Sequence, residues 1–74
     1  MKKNLAIKIL LYLHKFRLDH NLYRLPPSLR HSHGTEIHFR DTIESLIGNK
    51  FIVTDFDKYR ITQDGIDYIE KYYL

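Results

Sequence analysis

The 74-residue sequence contains no cysteine, which excludes disulfides and thiolate metal centres as staples for so short a chain. It has no apolar run approaching the roughly 18 residues that span a bilayer. Lys2-Lys3 resembles the charged start of a leader peptide, but Lys8, His14 and Lys15 interrupt the apolar stretch after it and no small-residue cleavage site appears. The expectation is a soluble, cytoplasmic protein. Glycine is scarce: Gly34, Gly48 and Gly65 each open or close an expected element, so there is no glycine-rich phosphate loop. The histidines match no Ser or Cys nucleophile pattern. Asp55 and Asp57 flank a hairpin tip and read as turn residues rather than paired acids. A chain of this size also has little room for a water-excluding pocket. Neither an enzyme nor a cofactor is expected.

Acidic residues are scarce in the first half. Residues 1–40 hold eight Lys or Arg against Asp19 and Glu36, whereas residues 41–74 hold four against seven Asp or Glu. All five histidines, at 14, 20, 31, 33 and 38, lie in the basic half. One face meant for a polyanion or an acidic protein would produce this division. Apolar types make up 43% of the chain and charged types 28%, the balance of a globular domain rather than a disordered segment. A chain this short buries only about 60% of its unfolded surface. Helix packing, a partner or self-association must supply the remaining stability.

Periodicity gives the order of elements. Residues 4–20 read as a long helix with Asn4 as N-cap. Leu5, Ile9, Leu13 and Phe16 form one apolar stripe, and Ile7, Leu11 and Leu18 a second. Two stripes predict burial on two sides, by the domain itself and by a second copy. Asn21 and Pro26-Pro27 break the chain, with Leu22, Tyr23 and Leu25 packing as an extended segment. A short helix over 27–31 begins on Pro27 and is anchored by Leu29. Gly34 supplies a turn, and Thr35 caps a helix over 36–48 with Phe39, Ile43, Leu46 and Ile47 on its apolar side. Gly48-Asn49 ends that helix. Residues 51–54 and 58–61 form a β-hairpin around Asp55-Phe56-Asp57, with Tyr59 and Ile61 on one face and Lys58 and Arg60 on the other. Thr62 caps a last helix running to about Tyr73. The fold class is mainly α with a small β-hairpin (α+β), in a single domain over residues 1–74. Its order of helix, short helix, helix, hairpin, helix is a helix-turn-helix with a wing after it.

Two stretches resemble winged helix-turn-helix proteins. Leu46-Ile-Gly-Asn-Lys-Phe-Ile52 is similar to the join between recognition helix and first wing strand. Tyr59-Arg-Ile-Thr-Gln-Asp-Gly-Ile-Asp-Tyr-Ile69 resembles the Tyr-x-Leu-Thr-x-x-Gly-x-x-Tyr-Leu run of PadR-like and MarR-like regulators and of small archaeal, plasmid and phage proteins. The resemblance implies a DNA-reading helix at 36–48, lying in the major groove, a wing on the backbone or minor groove, and a homodimer. The sequence departs from the pattern at Glu36, Asp41 and Glu44 on the reading helix and in the acidic wing tip.

The expected DNA-contact residues are Arg30, His31, His33, Thr35, His38, Arg40, Lys58 and Arg60. Arginine reads guanine edges or pairs with phosphate, and a helix N-terminus at Thr35 favours an anion. His31, His33 and His38 read as exposed or phosphate-contacting side chains rather than metal ligands, because alternate residues across a turn converge only by chance and no cysteine completes a set. Ile7, Leu11, Leu18, Tyr68, Tyr72 and Tyr73 are the expected dimer surface, tyrosine being favoured where one end of a side chain is apolar and the other wet. The first functional reading is a sequence-specific, double-stranded-DNA-binding transcription regulator. The second is a winged-helix adaptor or inhibitor, virus- or plasmid-encoded, that meets a protein partner through Phe56 and the wing without binding DNA.

Overall fold

The computed structural model describes residues 4–30 and 36–74, with the backbone alone at 36 and 37. It is an α+β fold: α1 (Leu5–His14), β1 (Tyr23–Arg24), α2 (Pro27–Arg30), α3 (Glu36–Gly48), β2 (Ile52–Asp55), β3 (Lys58–Ile61) and α4 (Gln63–Tyr72). The three strands form an antiparallel sheet in the order β1-β3-β2. None of the described helices is long and apolar enough to cross a membrane.

The first helix is the centre of the domain. Asn4 caps it, its side-chain oxygen accepting from the Ile7 amide at 2.9 Å. Leu5, Ile7, Ile9, Leu10 and Leu13 are all buried, and α2, α3, α4 and β3 all contact α1. This corrects the expectation for Ile7 of the second apolar stripe, whereas Leu11 is only partly buried and Leu18 is exposed. Ile7 is 4% exposed, enclosed by its own domain.

The first helix is also shorter than periodicity predicts, stopping at His14 instead of residue 20. Beyond it the amides of Phe16, Arg17 and Asp19 donate three residues back, to Leu13, His14 and Phe16. Local partners win over a further helical turn. Asp19 accepts from the Asn21 amide and from the Tyr23 hydroxyl, and Phe16 stacks on Tyr23 with ring centroids 4.3 Å apart. These contacts turn the chain and deliver Tyr23 and Arg24 to the sheet as a third strand beside β3. The expected extended segment is therefore present, and its Tyr23 and Arg24 are part of the sheet.

Helix α3 ends at Gly48, as its pattern predicts, but the reversal comes two residues later. Gly48 is its last helical residue, with open space around it, and the left-handed residue is Lys50 at φ 63°. The Phe51 amide donates to Leu46 O and the Lys50 amide to Ile47 O, both at 2.9 Å. This is the Schellman pattern, in which the reversed residue is usually glycine.

Thr62 ties this corner to α4. Its hydroxyl donates to Lys50 O at 2.6 Å and accepts from the Gly65 amide at 3.1 Å, while its own amide donates to Phe51 O at 2.9 Å. Gly65 lets the first turn of α4 lie against that corner. A Cβ there would stand 2.7 Å from Ile61 Cγ1 and closer still to the Phe51 carbonyl oxygen. The Thr-x-x-Gly spacing is thus explained by packing: it joins the end of α3, the hairpin and α4. Ile52, Tyr59, Ile61 and Ile69 complete the core beside Leu25, Ile43 and Leu46.

Candidate nucleic-acid interface

Register decides which side chains share the outward face of the sheet. The pairs Ile52↔Ile61 and Thr54↔Tyr59 belong to the core side, where Ile52, Tyr59 and Ile61 are buried. The alternate pairs Val53↔Arg60 and Asp55↔Lys58 therefore face outward. Strand β1 adds Arg24 beside Lys58 on the same face. Three cations from two separate parts of the sequence are gathered there. Lys58 and Arg60 are legible from strand alternation. Arg24 is not, because only the β1–β3 pairing brings it in.

The same face contains the means of neutralising its acids. Arg24 Nε lies 3.0 Å from Asp57 Oδ2, and Asp55 stands directly across from Lys58. Arg60 donates to His20 O at 3.2 Å, which holds its guanidinium at the β1 side of the sheet. The tip that reads as acidic in sequence is thus compensated by a residue some thirty positions earlier.

Arg30 sits at the end of α2, with its guanidinium 5.9 Å from the centre of the Phe39 ring on α3. Burial raises the pKa of the Tyr59 phenol, and the nearby Arg30 charge opposes that shift. Arg30 therefore stands close to α3.

On α3, Ile43 and Leu46 are buried and Phe39 packs against the core, but Ile47 is 38% exposed rather than a core residue. The exposed side carries His38, Arg40, Asp41, Glu44 and Ser45. Helical geometry separates His38 from Arg40 by about 160° around the axis, so the two flank the outward ridge from opposite sides. Asp41 and Glu44 lie between them. His38 also lines a shallow cleft of about 280 Å³ between α3 and the start of α1, with Asp41, Thr42 and Ser45. His31, His33 and Thr35 lie outside the described residues. No cluster of three or more His, Cys, Asp or Glu suited to a metal occurs among the described residues.

The six expected dimer residues do not make one surface. Ile7 is in the core and Leu11 packs against it, while Leu18 is 85% exposed in the turn after α1. Tyr68 stacks on Phe51 with centroids 4.7 Å apart. Tyr72 and Tyr73 remain exposed at the end of α4. His14 and Arg17 meet Glu70 of α4 at 3.0 and 3.8 Å, joining the first and last helices within one chain.

No protein-family model, curated protein or solved structure matches this chain.

Proposed function

We propose that this chain is a winged-helix DNA-binding protein acting as a transcription regulator. In this reading α2 and α3 are the helix-turn-helix, α3 enters the major groove, and β2 and β3 are the wing. The order of elements, the β1-β3-β2 sheet and the contact between α3 and β2 support that architecture. The observation that carries the reading is the meeting of Arg24, Lys58 and Arg60 on the outward face of the sheet. Cations so arranged hold phosphates and fix register without specifying sequence. Arg40 and His38 reach base edges or phosphates from the two flanks of α3. Asp41 and Glu44, on the ridge between them, accept from cytosine amino groups. A dimer forms through the exposed end of α4, where Tyr72 and Tyr73 lie. The function is occupancy of a site and involves no catalysis.

The test is titration of a labelled random-sequence duplex at about 50 and 200 mM salt, where non-specific binding of micromolar strength at the lower salt is expected. Five phosphate contacts, one each from Arg24, Arg30, Arg40, Lys58 and Arg60, give a log–log slope of about −4.5. Absence of binding at the lower salt overturns the reading.

A further inference from the structure

Phe56 is the most exposed large apolar side chain described, at 96%, and it occupies the first of the two residues joining β2 to β3. Its φ is 58°, in the left-handed region that such turns ordinarily fill with Gly, Asn or Asp. An aromatic side chain here combines full exposure with an unfavourable backbone. Nothing in the fold of the domain requires it, since the ring touches no part of the core.

The backbone of the tip is tied down. Asp55 and Lys58 close the hairpin, the Thr54 hydroxyl is shared between Lys58 O at 3.0 Å and Phe56 O at 3.2 Å, and Arg24 clasps Asp57. The sheet that carries this tip bears Arg24, Lys58 and Arg60 on its outward face.

We propose, building on the DNA-binding reading above, that Phe56 is a stacking platform for an unpaired base, with Arg24, Lys58 and Arg60 holding the flanking phosphates. The size and setting of the ring select this ligand. A protein interface needs a contiguous patch of about 800 Å² per partner, and a lone ring between charged residues on a two-residue tip does not offer one. A base presents a π-face the size of one ring with phosphates on either side, which matches an aromatic platform beside cations. An intact duplex fits less well, because its paired bases keep their faces inside the stack, out of the ring's reach. A base already out of the stack offers a free face to the ring.

The experiment uses two duplexes of otherwise identical sequence, one fully paired and one with a single bulged 2-aminopurine, each with a fluorescent end label for anisotropy. Wild type should bind the bulged duplex between about 5 and 150 times more tightly, the range of single base–aromatic stacks. Binding should also quench the 2-aminopurine emission. Phe56→Asn suits the left-handed turn and so retains the fold. It should abolish the preference and the quenching while leaving affinity for the paired duplex unchanged, and Phe56→Tyr should restore both. Salt-steep binding of both duplexes with equal affinity, insensitive to Phe56→Asn, overturns this inference and leaves the DNA-binding reading standing. Binding of neither duplex overturns both. Self-association in sedimentation that disappears in Phe56→Asn, with no bulge preference, assigns the ring to a protein contact and overturns the inference as well.

Discussion

Replacing Gly65 by alanine is expected to destabilise the domain by about 2–4 kcal/mol, although alanine is the better helix former by up to about 1 kcal/mol. The new Cβ meets Ile61 Cγ1 at 2.7 Å and lies nearer still to the Phe51 carbonyl oxygen. Neither neighbour yields readily. The Phe51 oxygen is backbone already engaged by the Thr62 amide, and Ile61 is a buried core residue. Overpacking of this kind costs about 1–3 kcal/mol. Moving α4 away to relieve it stretches the Thr62 bonds to Lys50 O and Phe51 O, each contributing about 1 kcal/mol. For a domain of this size the sum lowers Tm by roughly 10–25 °C. The assay is urea and thermal unfolding monitored by circular dichroism, with Gly48→Ala as the internal control. Gly48 has nothing within 4 Å of its missing Cβ and no left-handed φ. There the same substitution should stabilise by about 0.5–1 kcal/mol. Equal or greater stability of Gly65→Ala relative to wild type would refute the packing account of the Thr-x-x-Gly spacing.

The geometry leads to three other expected outcomes. Lys50→Gly should stabilise by about 0.5–1 kcal/mol in the same unfolding assay, because glycine removes the left-handed penalty at the end of α3; a loss of stability would show that the lysine side chain makes a compensating contact. The Tyr23 hydroxyl and the Asn21 amide hold the Asp19 carboxyl below its ordinary pKa, so this contribution is present above the carboxylate range and fades as pH falls through it. The stability gap between wild type and Tyr23→Phe should therefore narrow below about pH 4, and a gap constant from pH 7 to pH 3 would contradict the assignment. The same bond raises the Tyr23 phenol's pKa, so its share is kept below the ordinary tyrosine range and lost above it. In the duplex titration, Arg24→Ala should reduce the salt slope by about 1 and weaken binding alike on all sequences; an unchanged slope would remove Arg24 from the interface.

Much of the architecture is written in local chemistry. The helix caps at Asn4 and Thr62, the β-hairpin with Tyr59 and Ile61 inward, and the apolar spacing of α3 at Ile43 and Leu46 depend on neighbours within a few residues, and pattern reading reaches those. The end of α1 escapes pattern reading because Leu18 continues a helical stripe, while the Asp19 and Phe16 contacts that stop the helix involve Tyr23 in the next segment. The end of α3 at Gly48 is legible, but the left-handed residue after it is not, because glycine is the usual one and here the lysine two positions later takes that conformation.

The candidate interface divides in the same way. The sequence by itself determined that Lys58 and Arg60 share a strand face, that the first half is basic, and that a phenylalanine sits at a hairpin tip, because alternation, charge and turn position are properties of adjacent residues. Only the tertiary structure decided that Arg24 joins those cations and clasps Asp57, that Ile7 belongs to the domain's own core, and that Phe56 stands free in a left-handed turn. Strand pairing across some thirty residues, and the enclosure of α1 by the elements around it, depend on which distant segments meet, and no local pattern encodes that meeting.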